Sequence, residues 1–202
     1  MRLLVFATHK DDEALIGGGL LQQSTNSLVI ASCKSNKFRD DVYKHNAKKF
    51  GYETKCFDFD DCSLFANIDN IADKMLYEIK RFRPTHILGN HWQDLHQDHI
   101  ANARAMEIAV RPTSEYTRGA TVLYGYGVSL YETSELHRKP NCYIELTKKE
   151  VENKAMMLEH YDTELRHNRN AEAVITNARM SGMMFGTKYA EMYYQSSGEI
   201  LV

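Results

Sequence analysis

The sequence predicts an α/β fold of the Rossmann-like kind, with a mostly parallel sheet and helices on both faces. Three observations carry this expectation. Short apolar runs without polar alternation recur along the chain, as strands buried on both faces require. Segments with apolar residues at spacings of three and four lie between them. The two patterns alternate, which is how βαβ units read in sequence.

Residues 2 to 8 form the first apolar run, and residues 27–33, 53–59, 85–89, 121–126 and 142–146 repeat it. Between them, Val42, Ala47 and Phe50 lie close to one helical stripe, and Ile71, Met75, Ile79 and Phe82 form another. Residues 100 to 110 are Ala-rich and follow Asp98, which reads as an N-cap. Thr147 and Glu150 form a capping-box pattern ahead of Val151, Ala155 and Leu158. Gly17, Gly18 and Gly19 stand where the first helix is expected, although glycine disfavours helix. They are expected to let that helix approach the sheet closely. They do not complete G-x-G-x-x-G, because Gln22 holds the last position and the acids before them would repel a pyrophosphate.

The 202 residues, 43% hydrophobic and 26% charged, suit one globular domain spanning residues 1–202. A net charge of −2 with dispersed Lys and Arg excludes the basic footprint of a nucleic-acid binder. The longest apolar run, Leu3 to Ala7, is too short for a membrane span or a signal-peptide core. Cys33, Cys56, Cys62 and Cys142 show no CxxC spacing and read as buried, reduced thiols of a cytoplasmic protein. The pairs Met156-Met157 and Met183-Met184 read as core filling.

Function is expected beyond the carboxyl ends of the strands, where ligands sit in sheets of this kind. Two clusters lie there. The first, His9-Lys10-Asp11-Asp12-Glu13, directly follows the first run. Adjacent carboxylates repel and resist desolvation, and a divalent cation relieves both costs. His9 and Asp12, three apart, can be aimed at one point by a single turn, which leaves Asp11 free to handle a proton. The plainer alternative is a solvated helix start. The second cluster, residues 90 to 99, contains His91, His96 and His99 with Asp94 and Asp98. A helix N-terminus disfavours imidazolium, and neutral imidazole is the form that binds metals. Its plainer alternative is a polar surface loop.

These residues resemble the PIG-L/LmbE family of zinc-dependent N-acetylglucosaminyl deacetylases. Thr8-His9-Lys10-Asp11-Asp12-Glu13 is similar to the family's Ala-His-Pro-Asp-Asp-Glu turn. His96-Gln97-Asp98-His99, entered by Arg83-Pro84-Thr85, is similar to its His-Pro-Asp-His segment, and Tyr189-Ala190-Glu191 looks like its C-terminal Tyr-Ala-Glu. The resemblance implies a metal, zinc or another divalent ion such as Fe2+, held by His9, Asp12 and His99. It implies Asp11 as general base and His96 as the group that stabilises the oxyanion or protonates the leaving amine. The products would be acetate and a free amino sugar. Asp98 is expected to hold a histidine in its tautomer from behind. Lys10 and Gln97 replace the family's prolines at positions that carry no metal. Lys10 reads as a solvated lysine, with an anionic substrate group as its alternative partner.

Weaker candidates for the substrate are Arg39, after the second strand, Tyr124, Tyr126 and Tyr131, and His137 with Arg138. The segment Asp58-Phe59-Asp60-Asp61 has a metal-like look but reads as a strand-end loop. Two His and one carboxylate also describe non-haem iron oxygenases, but the spare Asp11 favours hydrolysis. A non-catalytic sugar binder and a deacylase for another acyl group or a non-sugar amide stay open. The expected partner is a small-molecule or glycan substrate, with neither nucleic acid nor membrane insertion, and with a homo-oligomer left open.

Overall fold

The computed structural model describes residues 1–111, 115–126, 140–166 and 169–198. His137, Tyr131 and Arg138 lie outside the described residues. Strands β1 (Arg2–Ala7), β2 (Asn26–Cys33), β3 (Glu53–Phe59), β4 (His86–Asn90), β5 (Thr121–Gly125), β6 (Cys142–Glu145) and β7 (Ala190–Ser197) form one sheet in the order β3-β2-β1-β4-β5-β7-β6. The first five run parallel, with Val5 of β1 opposite Val29 and Leu88. β7 pairs antiparallel with both β5 and β6. Helices α1 (Asp12–Gln23), α2 (Lys37–Phe50), α3 (Ile68–Phe82), α4 (Gln97–Ala109), α5 (Lys148–Glu159) and α6 (Ala171–Phe185) complete the fold.

The unalternating apolar runs follow from burial on both faces. Leu3, Val5 and Ala7 of β1 join a core with residues of α1, α2, α5 and α6. Leu4 and Phe6, on the opposite face, join a second core with α3 and α4. The stripe of α3 is buried where the periodicity placed it, at Ile71, Met75, Ile79 and Phe82. α5 opens with the expected capping box, Thr147 accepting from the Glu150 N–H while the Glu150 side chain accepts from the Thr147 N–H. The cap of α4 differs from expectation. His96 caps it, and Asp98 lies in its first turn.

β1 and β4 are neighbours although two other strands separate them in sequence. The chain builds outward from β1 to β3, then returns to start β4 on the other side. That reversal leaves a crevice at the carboxyl ends of β1 and β4. Asn90 fastens the two ends, its Oδ1 accepting from the Thr8 N–H at 3.1 Å and the Thr8 hydroxyl at 2.9 Å. Asn102 of α4 donates to the Phe6 carbonyl at 3.1 Å and accepts from Ser32 at 2.7 Å. The turns after β1 and β4 are therefore held side by side.

The glycine run does bring α1 close to its neighbours. A Cβ on Gly17 would lie 2.4 Å from Leu88 Cδ2, and one on Gly19 would lie 2.7 Å from Leu146 Cδ2. α1 is also kinked at Gly17. The kink is braced by Glu191 of β7, whose carboxylate accepts from the Gly19 N–H at 3.2 Å, the Leu20 N–H at 2.9 Å, Lys154 Nζ and the Tyr193 hydroxyl. The apolar runs do not flag β7, which begins inside the Tyr-Ala-Glu segment. The methionine expectation is half corrected: Met157 is fully buried, but Met183 and Met184 are 81% and 65% exposed on α6. Cys33 and Cys142 are buried as expected, whereas Cys56 is half-buried and Cys62 exposed. No helix among the described residues is long and apolar enough to cross a membrane.

Truncating Glu191 leaves two backbone donors without that acceptor and a largely covered Lys154 with only the Leu15 carbonyl. Breaking a buried ion pair costs about 3–5 kcal/mol. Glu191→Ala is expected to lose stability of that order in urea denaturation, and Tyr193→Phe, which removes one donor, to lose far less.

Candidate active site and metal centre

The turns after β1 and β4 meet in a cleft of about 440 Å³, lined by His9, Asp11, Asp12, Arg39, Asp61 and Asp94 together with His96, His99, Glu164, Arg166 and Arg169. Ninety residues apart in sequence, His9 and His99 approach to 3.3 Å between Nδ1 and Nε2. Asp12 Oδ2 lies 3.5 Å from His9 Nδ1 and 3.3 Å from His99 Nε2. A tetrahedral ion with bonds of about 2.0–2.1 Å sets its ligands about 3.3 Å apart. The three donors therefore occupy one face of such a tetrahedron, and the donor set fits a divalent cation.

The charges around these atoms favour the same occupant. Burial opposes ionisation of both rings, yet Asp12 pushes His9 up to about 11 and His99 up to about 10. Burial also opposes ionisation of Asp12, yet His99 and His9 hold its carboxyl well below the usual range. Two imidazolium protons cannot both point across a 3.3 Å gap. One cation that accepts both lone pairs and the carboxylate satisfies all three groups. Carboxylates stand behind both rings: His9 Nε2 is hydrogen-bonded to Asp61 Oδ1 at 3.0 Å, and Asp94 Oδ2 lies 3.0 Å from His99 Nδ1 as an ion-pair contact outside hydrogen-bond alignment. The His9 N–H donates to Asp12 Oδ2 at 2.9 Å, which fixes the turn itself.

The carboxylates beside Asp12 occupy separate environments. Asp11 is 1% exposed. Its Oδ2 accepts from Arg39 Nη2 at 3.2 Å and from Arg169 Nη2, while its buried Oδ1 has no hydrogen-bond partner among the described residues. Burial raises the Asp11 carboxyl above its ordinary value against the pull of Arg169 and Arg39. Glu13 turns away from the cleft. It accepts from the Tyr161 hydroxyl at 2.7 Å, and burial pushes it up to about 8. His96 stands exposed at the rim. Its Nδ1 accepts from the Asp98 N–H at 3.2 Å, so the neutral ring carries its proton on Nε2. Partial burial and the neighbouring His99 and His9 hold its pKa below the ordinary value.

The structure thus brings His9, Asp11, Asp12, Arg39, His96 and His99 into one cleft. It corrects three other expectations. Asp98 does not orient a metal-facing histidine at hydrogen-bond distance. It lies 4.0 Å from His9 Nε2, and its oxygens accept from the Cys62 N–H at 2.5 Å and the Leu64 N–H at 3.2 Å. Asp94 and Asp61 take the orienting positions instead. Lys10 is not solvated. It is 5% exposed and pairs with Asp40 in the first turn of α2, away from the cleft. Tyr126 is buried and stacks on His91 at 4.6 Å between ring centroids, and Tyr124 packs edge-on against Trp92, so neither borders the cleft. Glu164, Arg166 and Arg169 escaped the sequence reading, and Asp61 and Asp94 were noticed there without being given a place at this site. Asp61 follows the end of β3, and the strand-end rule that picked the two clusters could have reached it.

No protein-family model and no curated protein matches the chain. Solved structures share its fold. A deacetylase of the teicoplanin biosynthesis pathway matches at a TM-score of 0.80 with 16% identity, over 96% of this chain and 97% of that one. The N,N'-diacetylchitobiose deacetylase of Pyrococcus horikoshii matches at 0.76 with 14% identity, over 96% and 83%. The 4-carboxy-2-hydroxymuconate hydratase of Pseudomonas putida matches at 0.76 with 15% identity, over 100% and 98%. At these identities the likeness establishes the fold.

The carboxylate behind His99 is testable. Loss of such a partner lowers metal affinity about 10–100-fold. Asp94→Asn is expected to weaken zinc binding by that factor in a competition titration with a chromophoric chelator. Lys10→Met, which removes only an ammonium group paired with Asp40 on α2, is expected to leave the affinity unchanged.

Proposed function

We propose that this chain, built on a fold that solved deacetylases share, is a metal-dependent N-deacetylase of the PIG-L/LmbE type. Its substrate would be an N-acylated amino sugar of the N-acetylglucosamine kind, with acetyl the acyl group removed and zinc, or alternatively Fe2+, the ion. The observation that carries this reading is the triangle of His9 Nδ1, Asp12 Oδ2 and His99 Nε2, with edges of 3.3–3.5 Å, beside a buried carboxylate that keeps one oxygen free.

A divalent cation held by His9, Asp12 and His99 would supply a Lewis acid for the amide carbonyl and would acidify a water at its open position. The remaining work falls to side chains. Asp11 Oδ1 takes the proton of the attacking water. Burial makes this carboxylate a stronger base than a surface one, which suits the task. Arg39 and Arg169 grip Oδ2 and fix the plane of the carboxylate. His96 presents Nε2–H to the oxygen of the carbonyl as it gains negative charge. Asp11, now protonated, returns its proton to the departing amine. The cleft lies within the usual range for small-molecule sites, roughly 300–1,000 Å³, and Arg39 and Arg166 offer donors along its wall. Asp98 supports the arrangement through the backbone of the loop after β3. The setting proposed is cytoplasmic, with a small-molecule or glycan substrate.

The hydratase that shares the fold marks a second reading, water addition to an unsaturated acid. The three arginines of the cleft, Arg39, Arg166 and Arg169, are the observation that favours it.

A panel of N-acetylated sugars, assayed for free amine and acetate with zinc-loaded protein, tests the proposal. Release of both in equal amounts is expected. Water uptake by an unsaturated carboxylic acid without amide cleavage would favour the hydratase reading. Asp11→Asn is expected to keep the bound ion and to lose about 10²–10⁴-fold in kcat. Normal turnover in that variant would remove Asp11 from the mechanism. Chelation is expected to abolish activity and added Zn2+ to restore it.

A further inference from the structure

Behind His9, on the side away from Asp12 and His99, a second set of ligand atoms converges. His9 Nε2, Cys33 Sγ and carboxylate oxygens of Asp61 and Asp98 all lie within 4.8 Å of one another. Cys33, the last residue of β2, is 1% exposed, and Asp98 is fully buried. Asp61 Oδ1 and Asp98 Oδ2 both accept from the Cys62 N–H, at 3.0 Å and 2.5 Å, so two like charges are held close together on one shared donor beside the His9 ring. Such a pair is costly, and a cation relieves it. A thiolate, an imidazole nitrogen and two carboxylates make a four-coordinate donor set suited to zinc rather than to magnesium or calcium. Asp61 also lines the cleft, which gives an ion a way in.

We propose that Cys33, His9 Nε2, Asp61 and Asp98 form a second, inhibitory site for a thiophilic divalent cation. Binding there releases two protons to water, one from the Cys33 thiol and one from His9 Nε2, as metal–sulfur and metal–nitrogen bonds form. Burial holds the Cys33 thiol above its ordinary value, but a coordinating thiol deprotonates outright. His9 then bridges two cations as an imidazolate. A bridging imidazolate donates more charge to the first ion, which weakens that ion as a Lewis acid. Asp61 is drawn off the His9 ring at the same time. Excess metal therefore inhibits. The inhibition rests on the deacetylase reading, whereas the site itself does not.

The test is a titration of the metal-free full chain with Co2+, followed in the near ultraviolet. Two equivalents are expected, the second bringing a sulfur-to-cobalt charge-transfer band. Cys33→Ser is expected to keep the first equivalent and its turnover, to lose the second equivalent and the band, and to resist inhibition by excess Zn2+. A single equivalent in the natural protein, or no band, overturns the proposal without any variant. A band that survives in Cys33→Ser belongs to another thiol and overturns it as well. His99→Ala separates the two readings, because it is expected to lose the first equivalent and all turnover while keeping the band. Inactivity on every amide tested, with the band intact, would sink the deacetylase and leave the second site standing.

Discussion

One oxygen atom, Asp12 Oδ2, ties the site together. It faces His9 Nδ1, His99 Nε2 and the His9 N–H at 3.5, 3.3 and 2.9 Å. Two of these groups belong to the turn after β1 and the third to the first turns of α4. The contact can exist only because β1 and β4 are adjacent, and the Asn90 clip on Thr8 keeps their ends level. Without that adjacency, three buried titratable groups would each need a separate partner. With it, one positive charge would serve all three.

The same economy explains how three consecutive acids can be buried at one turn. Asp11 faces two guanidinium groups, Asp12 two imidazoles and Glu13 a tyrosine hydroxyl. Their surroundings shift their proton affinities in different directions, with Asp12 lowered and Asp11 and Glu13 raised. A lowered carboxylate suits holding a cation, and a raised one suits receiving a proton. Division of labour among neighbours thus follows from which element each side chain meets.

Much of this was legible in the sequence. The parallel sheet could be read because strands buried on both faces lack alternation. The two clusters could be read because the strand-end rule says where to look. What could not be read depends on long-range packing. Arg169 reaches Asp11 across 158 positions from an irregular segment that carries no periodic signal. Asp94 and Asp98 look alike in sequence, and the wrong one was assigned to the histidine. The α4 helix starts two residues earlier than an Asp98 cap allows, which directs Asp98 to the loop after β3 and leaves Asp94 facing His99. Lys10 looked exposed because its partner, Asp40, lies on a separate helix.

The most direct test of the convergence is a crystal structure of the zinc-soaked protein with anomalous data collected at the zinc absorption edge. The account predicts an anomalous peak about 2.0–2.2 Å from His9 Nδ1, Asp12 Oδ2 and His99 Nε2 together. A peak that omits any one of those three atoms, or none in that cleft at saturating zinc, would contradict it.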